Sequence, residues 1–569
     1  MNFLNDENIL FVLISPMIFC RAYLLPKNDY FCKANFYSYM RKISLFIILI
    51  LPFIMNAQIL EVAGIQEGIW NYDTILVIDD IIVPEDKSLT VSEGTRVVFQ
   101  DHYSITVKGS LKALGQEYDS IYFTSIDTTG FFKWKNEIGG WNGLVFQDVS
   151  DTIILDYCHF SFGKAVDSQR SACGGALRFY NSNNVVISNS TFYHNLTTSK
   201  GGALYAENSN LNIFNCEVDS NFGFNEEGVY MHGTGFQFNN CNVKMENMYF
   251  HNNYCENCYG GGANFDSCNV YVNNAVFEDN YAVNAAGMGI QRCNDYEVRV
   301  SNSLFDNNIA YHYGGAMAIA ASSPIVNNVT MTNNFTVAAG GGAMQFYNEA
   351  NPVFKNCIIW DNDWYEEHNS ISDGSQIFIW GYDCKPQFYN SILQGGYKEV
   401  HGYENIAVYD TASMLDSDPL FIDAKNRNFQ LSDGSPAINS GDTTGLLIPI
   451  TDLAGNQRIV GNRIDMGCYE SDATYLKEIN TDVKNINIYP NPINSNSICE
   501  FILTDKSDVN VKIYDMNGKL IFVKNYGIMS HGTNIISLED FTKKILNNFN
   551  IYFLSIETQY ETLNAKFIY

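Results

Sequence analysis

Positive charge is scarce in this sequence. Its 569 residues carry 34 Lys and Arg against 62 Asp and Glu, a formal charge of −28. A nucleic-acid or anionic-membrane partner, which needs a basic surface, is therefore not expected. Apolar runs are short: residues 43–55, the run nearest a membrane segment, fall well below the roughly 20 residues that a spanning helix needs. No stretch carries a convincing helical period, so a helical bundle is excluded. GxSxG, HExxH, the P-loop and the Gly- and Asp-rich calcium nonapeptide are all absent.

What is present is repetition. Two small residues, an Ala or Gly, and usually an apolar residue recur as GGAL at 174–177 and 201–204, GTGF at 233–236, GGAN at 261–264, AGMG at 286–289, and GGAM at 314–317 and 341–344. The spacings are 27, 32, 28, 25, 28 and 27 residues. A period of this size predicts a solenoid, in which each repeat buries its apolar face only against its neighbours. A second phrase, FxxN, keeps register with the first at 192–195, 250–253, 277–280 and 305–308, with variants at 218–221 and 331–334. Three residues before each of these apolar positions stands Asn189, Asn215, Asn247, Asn274, Asn302 or Asn328.

Each repeat holds three short β stretches separated by Asn, Ser and Gly, as in residues 203–205, 211–214 and 217–219. Three strands in about 27 residues predict an all-β parallel β-helix whose strands stack about 4.8 Å apart. The six asparagines are expected to form a ladder, because an amide donates to one coil and accepts from the other, and Asn tolerates the left-handed backbone of a turn. The Phe of FxxN is expected inside the rod. Cys241, Cys268 and Cys293 stand where Ser182, Ser209 and Ser322 stand in other repeats, which predicts small, buried, stacked residues. Cys255 and Cys258 form a lone CxxC, expected as a local disulfide or free thiols.

Residues 40–57 read as a signal peptide: Met40, Arg41 and Lys42, the apolar run, then Asn56-Ala57. Residues 1–39 are a leader extension or lie ahead of the working start at Met40. The remaining divisions are N-terminal coils at 58–150, repeats at 151–416, the end of the solenoid at 417–471, a linker at 472–484 and a C-terminal domain at 485–569.

Catalytic residues cannot be assigned. Between 174 and 360 the basic residues are Arg178, Lys200, Lys244, Arg292, Arg299 and Lys355, with no two at equivalent positions of adjacent coils, so no cationic row for uronate chemistry is legible. Asp219, Glu278, Asp279 and Asp306 would form either a carboxylate strip capable of glycoside hydrolysis or a solvated acidic face. Tyr254, Tyr259, Tyr281, Tyr311 and Tyr313, with Asp279 and Asp306, form the candidate binding face. Three or more carboxylates, or a carboxylate with Arg or Lys, converging in one groove would favour an enzyme, and a smooth rod with an aromatic strip would favour a binder. Asp433, Asp442, Asp452, Asp465 and Glu470 are expected to cap turns, with calcium as the alternative; no other metal or cofactor is expected.

Four resemblances add to this reading. Residues 83–99 and 141–146 resemble the opening coils of secreted bacterial right-handed β-helix proteins, the group that includes pectate lyases. The GGA and FxxN repeats resemble those of the chlamydial polymorphic outer membrane proteins, which implies adhesion; the β-barrel that ends those proteins is absent here. SPAINSG at 435–441 and the DMGCYE close at 465–470 resemble the end of many secreted β-helix proteins. Finally, Tyr489-Pro490-Asn491-Pro492, the segment 514–518 with its Asn517-Gly518 hairpin signal, and residues 551–554 resemble the C-terminal sorting domain of the type IX secretion system of Bacteroidetes, with Asn550 where that family often has Gly. This implies a small β-sandwich-like domain, the secretion machinery as partner, and a protein at the outer surface or outside the cell. The function expected is a secreted or surface binding and adhesion scaffold, for a glycan or a surface protein; the alternative is a polysaccharide lyase or hydrolase acting on an acidic glycan.

Overall fold

The computed structural model describes residues 58–166, 172–224, 231–364, 376–381, 383–402, 407–460, 463–471, 483–503, 506–516, 518–543, 551–558 and 562–568. The leader, the signal peptide and nearly all of the linker lie outside the described residues. From Ile59 to Tyr409 the chain winds into a parallel β-solenoid with three main columns of strands and a fourth, shorter one.

The first column follows each Gly phrase. Its strands include Leu177–Tyr180, Leu204–Glu207, Phe236–Asn239, Ala263–Asp266, Met288–Gln291, Met317–Ala320, Met344–Tyr347 and Ile377–Trp380, each paired in parallel with the next. Strand alternation sends the first and third residues of each inward, so Leu177 lies over Leu204 and Leu204 over Phe236, all fully buried. The second column bends into the third at an asparagine. Asn189, Asn215, Asn247, Asn274, Asn302 and Asn328 have φ between 47° and 55°, a left-handed conformation that Asn tolerates best among residues with a side chain. The bend is gentle enough that Asn210–Asp219, Asn242–His251 and Asn269–Glu278 run through it as single strands.

The third column carries the FxxN phenylalanines. Phe160 and Phe192 stack at 5.1 Å, Phe250 and Phe277 at 4.8 Å, and Phe277 and Phe305 at 4.7 Å, all inside the rod. A fourth column, of short strands such as Leu196–Thr197, Phe222–Gly223 and Phe335–Thr336, was not expected. Strands of two residues are too short to show any periodicity.

Two asparagine ladders coexist. The expected one is exposed: Asn215 donates through Nδ2 to Asn189 at 2.9 Å, Asn247 to Asn215 at 2.9 Å and Asn274 to Asn247 at 3.1 Å. A second ladder, at the Asn of FxxN, is buried and more complete. Asn195 donates its main-chain N–H and its Nδ2 to Oδ1 of Asn221, both at 3.0 Å, and Asn221 repeats both bonds to Asn253, at 3.1 and 2.9 Å. The pattern continues through Asn280, Asn308 and Asn334 to Asn362. Each amide also donates to a backbone carbonyl of the preceding coil, as Asn253 does to Val218 at 2.8 Å.

The cysteines stack as expected. The Cys241 N–H meets Sγ of Cys268, and the Cys268 N–H meets Sγ of Cys293, both at 3.3 Å, with all three thiols free and buried. Cys255 and Cys258 are disulfide-bonded to each other.

After the last coils the chain turns back along the outside of the third column. A hairpin of Phe421–Asp423 and Asn428–Leu431 lays Phe429 against Leu304, while Leu431 and Met466 cover Ile358 and Ile392. This return segment takes over the exposed ladder: Nδ2 of Asn302 donates to the Thr451 carbonyl, and that of Asn328 to the Asp465 carbonyl. It therefore flanks several coils as well as following the last of them. The C-terminal domain is separate in its core. Val483–Tyr489, Ile498–Leu503 and Gly532–Ser537 form one antiparallel sheet, and Ser507–Asp515, Leu520–Met529, Ile551–Glu557 and Thr562–Ile568 form another.

The buried ladder predicts a large effect from a small change. Asn253→Ala removes the partner of both Asn221 donors, and equilibrium denaturation should show a loss of about 1–3 kcal/mol. Gly202→Val should cost at least as much, because a Cβ there would lie 2.3 Å from the Thr234 carbonyl oxygen.

Candidate ligand-binding face

The second and fourth residues of each first-column strand point outward. From Arg178 through Tyr205 and Gln237 to Asn264 the second-position side chains form a buried polar floor, bonded in places to fourth-position neighbours. Asn264 Nδ2 donates to Gln237 Oε1 at 2.8 Å, and Gln291 Nε2 donates to Asn264 Oδ1 at 3.3 Å. Asn239 Nδ2 donates to the Tyr205 hydroxyl at 3.1 Å, which donates in turn to Glu207 Oε2 at 3.2 Å. Burial pushes the Tyr205 phenol well up, so it remains a donor at any ordinary pH. Arg178 is buried against carbonyl oxygens of Gly174 and Asn142, at 3.1 and 2.9 Å, and offers no free cation.

Above this floor the fourth positions make one row along the rod: Tyr180, Glu207, Asn239, Asp266, Gln291, Ala320, Tyr347 and Trp380, each in register with the next. Asp266 is held by the Arg292 guanidinium, with Nε to Oδ1 at 2.8 Å. Trp380 is 48% exposed and meets Tyr313 edge-on at 6.0 Å, while Tyr313 stacks on Phe378 at 5.5 Å. The face thus pairs an aromatic end with a hydrogen-bonding middle.

The expected tyrosine cluster divides. Tyr313 joins this face. Tyr259 does too, but at 9% exposure it is a packing residue, its ring lying over Gly289, where a Cβ would come within 2.8 Å of it. Tyr254 and Tyr281 belong to the fourth column and stack on each other at 5.0 Å, so they cover each other's faces and present their edges. Tyr311 stands exposed on the neighbouring strand, Ile309–Tyr313. The row members Tyr180, Asn239, Tyr347 and Trp380 were missed, although a signal existed: each is the fourth residue of a strand opened by a Gly phrase or its equivalent.

Asp279 and Asp306 lie elsewhere, on the outside of the third column beside Glu278. Three carboxylates and an arginine do converge there. Arg427, from the return segment, donates to Asp279 through both terminal nitrogens at 2.8 Å, pairs with Glu278, and brings Nε within 3.4 Å of Asp306 Oδ2, outside hydrogen-bond geometry. Asp306 is 1% exposed, and burial, aided by Asp279 and opposed by the Asn333 amide, pushes its carboxyl up to about 6. Asp279 and Asp306 therefore hold the return segment and do not join the tyrosines in one binding face. Next to them His251 lies between Glu217, at 2.9 Å, and Asp219, at 3.3 Å, with the Tyr249 ring stacked on it at 4.0 Å.

The other carboxylates named from the sequence mostly cap turns. Asp452 accepts from the N–H groups of Asn456 and Glu470, both at 2.7 Å, and Asp465 from those of Asn439 and Ser471, at 2.6 and 2.7 Å. Asp442 accepts from Thr444. Burial pushes Glu470 up to about 8 despite Arg458 at 3.7 Å.

Comparison with known families agrees with this geometry. Residues 134–305 match the model described as right handed beta helix region, and residues 487–569 match that of the secretion system C-terminal sorting domain. The chain is a right-handed β-helix protein with a type IX sorting domain. No curated protein matches the sequence. The β-helix extends beyond its matched region in both directions, since the same parallel pairing begins at Ile59 and runs to Val408–Tyr409.

Within the β-helix, Arg427→Met should release the return segment and leave three carboxylates without their cation. The raised Asp306 value fixes the sign of the pH dependence. Between its ordinary value near 4 and about 6 the folded state binds the extra proton, so stability falls as pH rises through that window and is fully regained below it. Denaturation midpoints should show Arg427→Met losing about 1–2 kcal/mol at pH 8 and distinctly less at pH 4.

Proposed function

We propose that this secreted β-helix protein is a binding scaffold of the adhesin kind, displayed at or released from the cell surface, with its ligand lying along the first-column face. The observation that carries the reading is the continuous outer row from Tyr180 to Trp380 over a hydrogen-bonded floor. A floor fixed by its own hydrogen bonds holds the row in one geometry before any ligand arrives, which lowers the entropic cost of binding. The acids on this face are engaged, Glu207 by Tyr205 and Asp266 by Arg292, so the row offers contacts rather than a free acid and base. The likeness of the repeats to surface adhesins points the same way.

The polysaccharide lyase or hydrolase remains the second reading, favoured by His251 between Glu217 and Asp219 on the third column. Its chemistry would sit on a different face from the proposed ligand row. Binding without turnover on a broad glycan panel supports the scaffold; release of reducing or unsaturated ends, lost in Glu217→Gln, supports the enzyme.

Two outcomes test the scaffold in its cellular setting. Deletion of residues 487–569 should leave the protein in the periplasm, and unchanged surface display, read by protease accessibility on intact cells, would overturn the role of the tail. Cells displaying Trp380→Ala should adhere to a glycan-coated surface several-fold less than wild type, while Tyr254→Ala, on the fourth column, should leave adhesion unchanged.

A further inference from the structure

We infer that the outer face of the second column is a docking site for the chain's own C-terminal domain, which covers that face for as long as the two are joined. The face is built from outward positions of three successive coils. In the strands Asn210–Asp219, Asn242–His251 and Asn269–Glu278, the inward residues Ile213, Met245 and Val272 fill the core, so Phe214, Glu246 and Asn273, one residue further on and in register with one another, point away from it. On a bare rod these positions would be open to water, yet Phe214 is 6% exposed and Glu246 7%. The C-terminal domain covers them. Ile551 and Ile568 from its second sheet, with Met516 from the turn after Ser507–Asp515, line one cleft with Phe214, Lys244 and Glu246.

The two sides are chemically matched. Lys244 Nζ donates to Sδ of Met516 at 3.1 Å, a contact between residues 272 apart in the chain, and lies 5.2 Å from the centre of the Tyr271 ring. From the domain side, Lys566 reaches over Phe214 with its Nζ 5.9 Å from the ring centre. The charges cross the contact in complementary order: Asp515 of the domain attracts Lys244 of the rod, and Glu246 of the rod attracts Lys566 of the domain. Burial opposes this attraction and pulls both ammonium groups below the ordinary lysine value, Lys244 to about 8, as expected for groups taken out of water by the contact. Beside it, Glu246 and Tyr271 share a second cleft with Leu447 and Pro449 of the return segment and Phe553 of the domain. The domain is therefore seated against the coils and the return segment together. Its apolar core nevertheless stays separate from that of the rod, so it can be lifted off without opening either. Loss of the C-terminal domain would then expose Phe214, Lys244 and Glu246 on the rod, whereas the outer row from Tyr180 to Trp380, on the first column, is free in both states.

A protease site placed in the linker, residues 472–484, lets the full-length protein be cut after it has folded, and gel filtration then reads how much of the C-terminal domain stays with the β-helix. Most should stay when the contact residues are unaltered. Glu246→Lys should lower the retained fraction several-fold, and Lys566→Glu added to it should restore retention, because the attraction is rebuilt with its signs exchanged. That rescue separates a loosened contact from a misfolded rod. Val523→Ser, at an exposed position of Leu520–Met529 outside the contact, should change nothing. Separation of the two parts with the contact residues unaltered would overturn the docking, as would retention indifferent to Glu246→Lys or a failure of the second substitution to restore it. A cut protein that elutes at twice its mass would place the domain on a second copy and overturn the intramolecular cover.

Discussion

A buried amide tolerates very few arrangements. Inside the rod, each FxxN asparagine must find an acceptor for two side-chain protons and donors for its oxygen, and water is not available to supply them. The solution is another asparagine one coil away: Oδ1 of Asn221 receives both donors of Asn195, and Asn221 passes the same pair to Asn253. Every coil must therefore place the same residue at the same height. The stacked phenylalanines and the Cys and Ser row follow once the register is locked, because identical positions then face each other automatically. Variation in length is pushed to places the ladder does not touch. In the coil that leads from Gly201 to Gly233, the extra residues fall between Gly223 and Gly233, after its ladder asparagine and before the next Gly phrase.

The outward positions carry no such constraint. Inward residues of the first column are Leu, Phe, Met, Ile and Ala, whereas their outward neighbours range from Arg178 and Tyr205 to Gly289 and Phe378. This freedom lets a uniform rod carry a specific surface. The polar floor of the first-column face exploits stacking in its own way, passing hydrogen bonds from Gln237 to Asn264 to Gln291, but with side chains that differ from coil to coil. A pattern of that kind is not dictated by the coil, which needs only the inward residues and the buried asparagines to repeat.

Acidity serves another purpose on the third column. Glu278, Asp279 and Asp306 would repel one another on adjacent coils, and the return segment answers with Arg427. The same segment supplies carbonyls to Asn302 and Asn328, which leaves Oδ1 of Asn274 without the partner that a continued ladder would have given it. The exposed ladder is thus interrupted so that the chain can fold back, and apolar cover from Phe429, Leu431 and Met466 accompanies the exchange.

The sequence by itself determined the coil. The Gly phrases, FxxN and the asparagine three residues earlier set the register, the inward phenylalanines and the left-handed bend, because these depend on contacts between residues one period apart; the short strands of the fourth column carry no such signal. It also marked the sorting domain, whose hairpin and strands are local. Which asparagine ladder lies inside was decided only by the tertiary structure, since both have the same period and differ only in the side of the wall they face. The same holds for the tyrosines, which are neighbours in sequence yet divide between Tyr313 on one face and the Tyr254–Tyr281 stack on another. The meeting of Arg427 with Asp279 spans 148 residues and has no periodic signal, because it depends on where the returning chain crosses the rod.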